Sequence, residues 1–314
     1  MTVLTGDSVQ PAVPPKPVAV STKPKPSGPQ LSKATRGFSY TFLTATAALW
    51  LVPLIWAVYT SLRPEADTNK YGYLSIGGSF NFDNYKQAWT QGGLEKYFLN
   101  SAYITIPAVL ITLALASMLA FAVSRFKWKF NVTLLILFTA GNLLPQQILA
   151  APLFQLYKHL TLPYSVSDSG SLLNTYYGVI AANIAFQVGF CTFVLSNYMK
   201  ALPNELTEAA MVDGAGVWIQ YRKIILPLCR PALAALATLE FIWIYNDFFW
   251  ALLFVQTGDR MPITTGINNL FGTFAQNDNL IAAGAIMTAI PTLAIYVALQ
   301  RQFVAGLTLG SSKG

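Results

Sequence analysis

Long apolar runs separated by short polar segments dominate this chain. Six runs reach the length of about 20 residues that a helix needs to cross the hydrocarbon core of a bilayer. They cover residues 38–62, 98–123, 132–156, 177–196, 231–255 and 280–300. Membrane helices tolerate the prolines inside these runs, because neighbouring groups satisfy the freed carbonyls. The pattern therefore predicts an all-α polytopic membrane protein with six transmembrane helices.

Composition supports this prediction. Only 11% of the 314 residues are charged, 54% are apolar and the mean hydropathy is +0.46. Soluble domains carry about 25% charged residues, so a water-soluble fold is excluded. The two cysteines and one histidine are too few for a zinc site, which usually takes four ligands. Cys191 and Cys229 fall in or beside apolar runs, and we expect them to be free thiols within packed helices.

The basic residues predict an orientation. If the N-terminus is cytoplasmic, fourteen of the 20 lysines and arginines lie on the cytoplasmic side. The six on the outer side are Arg63, Lys70, Lys86, Lys96, Lys158 and Arg260. This asymmetry fits the positive-inside rule. It predicts that both termini are cytoplasmic (N-in/C-in), which requires an even number of spans.

The same pattern divides the chain into four parts. Residues 1–36 are rich in proline and basic, and we expect a disordered cytoplasmic tail without a signal peptide. Residues 37–97 would hold the first helix and an external loop, and residues 98–300 a transmembrane core of five helices. Residues 301–314 would form a short cytoplasmic C-terminal tail.

The polar segment between the fourth and fifth runs predicts a short helix of about three turns. Pro203 suits its first position, and Glu205 and Glu208 lie where the helix dipole favours negative charge. Gly214 and Gly216 are typical stop signals. One narrow face has i, i+3, i+4, i+7 spacing and comprises Leu206, Ala209, Ala210 and Asp213.

The spacing of this segment resembles a known signature. Glu208-Ala209-Ala210, then Gly214, then Leu226-Pro227 reproduces the EAA loop of ABC importer permeases. Further stretches resemble the carbohydrate-uptake (MalG-like) permeases of that family, and the resemblance covers residues 38–314. These stretches are Pro53–Trp56, Ser61–Pro64, Phe82–Tyr85, Ala120–Phe126, Trp243–Trp250 and Val304–Thr308.

This resemblance implies the permease fold of type I (MetI-like) importers in the cytoplasmic membrane. It implies four partners: a second homologous permease, two ATPase subunits and an extracytoplasmic solute-binding protein. The EAA loop, residues 202–227, would be the coupling helix that docks on an ATPase. The residues that would make or support this contact are Glu208, Ala209, Ala210, Asp213, Gly214, Leu226 and Pro227.

The sequence predicts that ATP is hydrolysed by a partner. A P-loop requires lysine followed by serine or threonine, and no lysine in this chain has either residue after it. The chain is therefore not expected to be an enzyme or to bind a cofactor, and ATP and Mg would be bound by the ATPase.

Polar and aromatic residues within the spans suggest a solute path. Glu240 and Asp247 are seven residues apart, which would place them on one face of a continuous helix. Carboxylates, amides and indoles are groups that bind sugars. The path residues would be Trp243, Asn246, Asp247, Trp250, Asn183, Gln187 and Gln146, with Asn142 and Gln147 as further members. The alternative role of the polar residues is hydrogen bonding between packed helices, which we expect for Glu240.

Several functions remain open at this point. The resemblance favours import of a sugar, a di- or oligosaccharide, whereas a polyol or a glycerol-phosphate ester is the alternative solute. An ion-coupled secondary carrier is disfavoured, because such carriers often contain inverted repeats and none is apparent. A membrane enzyme is disfavoured as well, because His159 is the single histidine and no nucleophile motif accompanies it.

Overall fold

A computed structural model describes residues 32–126, 128–273 and 277–308. Most of the predicted N-terminal tail, residues 1–31, and the end of the C-terminal tail, residues 309–314, lie outside the described residues. The chain forms two compact units, Met1–Val52 and Pro53–Gly314. All contacts described below lie within the second unit.

The described residues are mainly helical, as predicted, and one isolated bridge between Thr161 and Ser171 is their sole strand-like pairing. The α-helices, in chain order, are α1 Lys33–Leu62, α2 Glu65–Tyr71, α3 Asp83–Thr90, α4 Leu94–Arg125, α5 Asn131–Leu143, α6 Ala150–His159, α7 Tyr176–Ala201, α8 Glu205–Val212, α9 Val217–Ile219, α10 Leu226–Leu228, α11 Arg230–Tyr245, α12 Phe249–Phe254, α13 Ile263–Thr273 and α14 Asp278–Thr308. A 3₁₀ turn, Gln146–Leu149, precedes α6, and a π-helical turn, Gln220–Ile225, joins α9 to α10.

Among the described residues, four helices are long and apolar enough to cross a membrane by themselves: α1, α4, α7 and α14. Two bent pairs are apolar enough only when taken together. One joins α5 to the segment Gln146–His159 at 92°, and the other joins Val217–Leu228 to α11 at 74°. The structure therefore has four candidate spans, or up to six if each bent pair counts as one.

Two of the predicted spans are not continuous helices. The run 132–156 breaks at Leu144, which is extended (ψ 130°) because the following Pro145 disfavours helical backbone before it. The run 231–255 breaks after Tyr245, and a new helix begins at Phe249. Run length alone does not reveal such breaks, because the apolar residues continue on both sides of Pro145 and of Asn246-Asp247.

Helix boundaries also differ from the prediction. Helix α1 begins at Lys33, within the segment predicted to be tail, and α14 continues to Thr308, beyond the predicted end at 300. The predicted loop between the first two spans contains two helices, α2 and α3. These short polar helices lack an apolar run and were therefore missed.

The core forms where α7 packs along α4 and α11 packs against both. Small residues such as Ala116 and Ala120 are fully buried there and permit close approach of the helices. Cys191 and Cys229 lie in the same cluster, buried and free, as predicted. This packing holds α7 and α11 in the arrangement that forms the site below.

Candidate functional site

A cavity of about 440 Å³ lies between α5, α7, α11 and α12. It contains six of the seven residues that the sequence predicts for a solute path. The lining residues are Asn142, Gln146, Asn183, Phe186, Gln187, Phe190, Trp243, Asp247 and Trp250. They are amides, aromatic rings and one carboxylate, and no lysine, arginine or histidine is among them.

The two helix breaks bring these side chains together. The break at Leu144 turns the chain so that Asn142 of α5 and Gln146 of the 3₁₀ turn lie on either side of it. The break after Tyr245 leaves Asp247 between two helix ends. Helix α7 remains continuous and supplies one row of lining residues with i, i+3, i+4, i+7 spacing, from Asn183 to Phe190.

Asp247 is held in place by groups of the chain itself. Its Oδ1 accepts a hydrogen bond from the Trp250 backbone N–H at 3.2 Å, in the first turn of the helix that follows. Its Oδ2 accepts from Asn183 Nδ2 at 3.3 Å, and its backbone carbonyl accepts from Thr264 Oγ1 at 2.7 Å. The carboxylate is thus a fixed acceptor at the wall of the cavity.

The two cavity tryptophans differ in their surroundings. Trp250 is buried and stacks on Phe186, with ring centroids 4.8 Å apart, and on Phe254 at 5.5 Å. Its buried Nε1 has no hydrogen-bond partner among the described residues. Trp243 is 43% exposed and contacts Phe190 edge-on at 5.3 Å. Trp250 therefore has a mainly packed ring, whereas Trp243 keeps a large part of its ring free.

Two expectations about the fifth span are corrected by the geometry. Glu240 and Asp247 do not share a helical face, because α11 ends at Tyr245. Glu240 is fully buried, and its Oε1 accepts from Cys191 Sγ at 3.1 Å. Asn246 does not line the cavity: its side chain is exposed, and its Nδ2 donates to the Ile242 carbonyl at 2.8 Å.

Sequence reasoning did not select Phe186 and Phe190 for the path. Their spacing relative to Asn183 and Gln187 indicates the same helical face, because residues three and four apart on a helix are neighbours. They were not selected because they lie within a continuous apolar run.

The EAA segment, residues 202–227, begins with a helix of about two turns. Helix α8 starts at Glu205, so Pro203 precedes it and the predicted three turns are one too many. Gly214 has φ +76°, and Ala215 N–H bonds to the Ala210 carbonyl at 2.8 Å, which closes the helix end. The predicted stop at Gly214 is therefore present.

The side chains of α8 divide between surface and core. Glu208 and Ala209 are exposed, whereas Ala210 and Thr207 are buried. The predicted narrow face is thus split, because Ala210 packs inward.

Large apolar side chains lie exposed on the same segment, namely Leu206, Met211, Val212, Val217, Trp218 and Ile219. Of the other predicted coupling residues, Asp213 is exposed at the helix end, and Leu226 and Pro227 are half-buried in α10.

The EAA segment is tied to the core helices at both ends. Arg125 at the end of α4 donates to Asn204 Oδ1 at 2.6 Å and to the Met199 carbonyl at 2.9 Å. Further on, the Tyr221 hydroxyl lies 2.8 Å from Ser117 Oγ of α4. Movement of α8 is thereby connected to α4 by polar contacts on both sides.

Several apolar helices around a polar, aromatic cavity place this chain in the class of membrane transport proteins. A family model described as "Binding-protein-dependent transport system inner membrane component" matches residues 112–308, and the chain belongs to this family. It is thus a multi-pass permease subunit of an ABC importer and not an enzyme, and ATP hydrolysis belongs to a separate subunit. The resemblance seen in the sequence is confirmed.

Relatives and solved structures agree with this assignment. The chain is 33% identical over 274 residues to the osmoprotective compounds uptake permease protein GgtD of Synechocystis sp., covering 85% of this chain and 89% of GgtD. It is 35% identical over 236 residues to the alpha-glucoside transport system permease protein AglG of Rhizobium meliloti, covering 75% of this chain and 61% of AglG.

The fold is likewise shared. A bacterial ABC transporter involved in import of the acidic polysaccharide alginate matches with a TM-score of 0.72 at 21% identity, covering 88% of this chain and all (100%) of that chain. This likeness shows that the chain has the permease fold of ABC importers, as predicted.

Proposed function

We propose that this chain carries an uncharged sugar, a di- or oligosaccharide, through the membrane, and that the cavity is part of its path. The lining of the cavity is the observation that carries the proposal. Amides donate to and accept from hydroxyl groups, a fixed carboxylate accepts from them, and the free face of Trp243 suits the C–H face of a sugar ring.

The same lining argues against the alternative solutes. A glycerol-phosphate ester or an acidic sugar calls for arginine or lysine, which form the strong charge-assisted bonds to phosphates and carboxylates. The nine lining residues include neither, and Asp247 would repel an anion. A small polyol would leave the aromatic rings without a partner of matching size. The name of AglG, for alpha-glucosides, agrees with an uncharged sugar.

The transporter would contain four further subunits: a second homologous permease, two ATPase subunits and an extracytoplasmic solute-binding protein. The family description, a binding-protein-dependent system, supports the last of these. We propose six spans, at the six apolar runs of the sequence, with both termini cytoplasmic, in the cytoplasmic membrane. The distribution of fourteen basic residues against six supports this topology. The same proposal includes the four parts of the chain given by the sequence: a tail up to residue 36, the first helix and external loop up to 97, the core up to 300, and the C-terminal tail.

The EAA segment would form the contact with an ATPase subunit. Glu208, Ala209, Asp213 and Gly214 are exposed and would touch the ATPase, whereas Ala210, Leu226 and Pro227 pack inward and would support the contact. ATP and Mg would be bound by the ATPase alone. Closure of the ATPase dimer would then move α8 and, through Arg125 and Tyr221, the helices around the cavity.

Reconstitution in liposomes tests this function. This chain, its partner permease and the ATPase are reconstituted together in liposomes. ATP is placed inside or outside, on the side that the ATPase faces, and the binding protein is added. Uptake of neutral disaccharides such as maltose, trehalose and melibiose is compared with uptake of glycerol 3-phosphate. We expect ATP-dependent uptake of a neutral sugar and none of the phosphate ester. Uptake by this chain alone, driven by an ion gradient, would contradict the proposal.

A further inference from the structure

One loop outside the cavity carries an apolar surface that the transport function does not use. The apolar loop, residues 71–82, lies between Lys70 and Asp83 and contains no charged residue. Several of its large side chains are exposed, with Leu74 at 79% and Ile76 at 88%. Twelve uncharged residues with exposed aliphatic and aromatic groups are unusual for a loop in water.

The apolar loop folds back along α1. Tyr59 accepts a hydrogen bond from the Gly77 N–H at 2.8 Å, and the rings of Tyr59 and Phe80 meet edge-on at 5.8 Å. The rings of Trp56 and Tyr73 lie 6.4 Å apart. At 1.5 Å per residue, Trp56 lies about 9 Å from the end of α1 at Leu62. The loop therefore lies beside the last two turns of this apolar helix.

The backbone of the apolar loop is held rigidly by Arg63. This guanidinium is buried and donates to the Ser75 carbonyl at 3.0 Å, the Gly72 carbonyl at 3.2 Å and Ser75 Oγ at 2.8 Å. Asp67 accepts from Ser79 N–H at 2.8 Å, and the Ser79 hydrogen bonds lower the pKa of Asp67. The exposed apolar side chains are thus presented by a backbone whose Gly72, Ser75 and Gly77 carbonyls are bonded to side chains of α1 and Arg63.

We propose that the apolar loop is a lipid anchor that lies in the headgroup region of the bilayer at the Leu62 end of α1. At the same level, α1 itself exposes Leu54, Ile55 and Val58, apolar side chains that lipid would cover. Tyrosine and tryptophan are enriched at this interface. Irregular backbone does not lie in the hydrocarbon core, so the interface is the depth that fits both the side chains and the loop.

This anchor differs from a docking surface for a protein. The solute-binding protein or a neighbouring permease could also cover exposed apolar groups. The depth beside Trp56 and the absence of charge from 71 to 82 favour lipid, because docking surfaces that face water have polar rims. The inference holds for either orientation of the chain in the membrane.

Spin-label accessibility tests the anchor in the assembled transporter, reconstituted in phosphatidylcholine–phosphatidylglycerol liposomes. The label is placed at Ile76→Cys, with Lys86→Cys on α3 as the matched exposed control. The native cysteines are buried, so labelling is directed to the introduced thiol. Collision rates are measured with oxygen, which concentrates in lipid, and with a water-soluble nickel chelate.

We expect the ratio of oxygen to nickel collisions at position 76 to exceed that at position 86 by about fivefold or more, with or without binding protein. A ratio equal to the control would overturn the proposal, since the loop would lie in water. A label shielded from both reagents would overturn it too, since a protein would cover the loop. Leu74→Cys repeats the measurement at a second exposed position and must give the same result as Ile76→Cys.

Discussion

The EAA segment and the cavity are built in opposite ways. The EAA segment is one stretch of chain whose marker residues follow each other within about two dozen positions, and Glu208 and Ala209 lie exposed at its surface. The cavity collects residues from Asn142 to Trp250, and its carboxylate is bonded within the chain. The first is a local structure that a partner can reach, and the second exists only when distant helices have packed.

This difference separates two kinds of mutational effect. Changes on the EAA segment should leave the fold intact and remove the coupling to an ATPase. Changes in the cavity should act on the solute, on the packing, or on both, according to how deeply each side chain is buried. The predictions below use matched pairs of residues to separate these effects.

The largest effect on uptake is expected from Glu208→Lys. Both Glu208 and Glu205 are exposed in the first turn of α8, so neither substitution removes a packed side chain. Glu208→Lys should reduce uptake and ATPase binding at least about 100-fold, which corresponds to about 2.8 kcal/mol, while the membrane level is unchanged. Glu205→Lys is the control. Co-purification with the ATPase measures the effect, and equal loss in both variants would refute the specific role of Glu208.

Gly214 and Gly216 form a second pair. A Cβ at either position meets nothing within 4 Å, but Gly214 has φ +76° whereas Gly216 has φ −63°. A β-branched residue is strained only at the former. Gly214→Val should therefore unwind the end of α8 and lower uptake about tenfold or more, a cost of about 1.4 kcal/mol. Gly216→Val should retain uptake. Similar uptake in the two variants would show that the left-handed backbone is not required.

The two cavity tryptophans should separate packing from solute contact. Trp250→Ala removes a buried ring between Phe186 and Phe254 and should lower stability by about 3–5 kcal/mol, as in other packed cores. Trp243→Ala removes a ring that is 43% exposed. It should leave the thermal unfolding midpoint nearly unchanged and raise the KM for uptake about tenfold. Normal KM in Trp243→Ala would remove this residue from the path.

Asp247 and Asn246 are neighbours in sequence with different surroundings. Asp247→Asn leaves one oxygen to accept from both the Trp250 N–H and Asn183, so one donor loses its partner at a cost of about 1–3 kcal/mol. We expect slower uptake and an unchanged amount of ATPase in the purified complex. Asn246→Ala, outside the cavity, should transport normally. Loss of the complex in Asp247→Asn would instead indicate a packing role.

The sequence predicts these two regions unequally. The EAA spacing and the stop at Gly214 are local, so they were visible without the fold. Six of the seven predicted path residues line one cavity, because amides and tryptophans in apolar runs are conspicuous. The helix break after Tyr245 was not predicted, although the polar residues Asn246 and Asp247 interrupt the apolar run at that point. That break removes Asn246 from the cavity and separates Asp247 from the face of Glu240.

The smallest effect on stability and uptake is expected at the ion pair between α4 and the segment that follows α12. Lys96 forms an exposed ion pair with Asp259, and this contact lowers the pKa of Asp259. The stabilisation is therefore present at neutral pH and is lost only as the pH falls through that lowered pKa. Because exposed pairs contribute little, Asp259→Asn should leave the unfolding midpoint and uptake unchanged at neutral pH.

Asn100 provides the contrast on the same helix. It is buried, its Nδ2 donates to the carbonyls of Asp259 and Met261, and its Oδ1 accepts from the Tyr176 hydroxyl. Asn100→Ala should cost about 1–3 kcal/mol, because buried partners are left unbonded. Asp259→Asn could instead lower the unfolding midpoint as much as Asn100→Ala. In that case the ion pair would contribute as much to stability as the buried amide, and exposure would not predict the size of the effect.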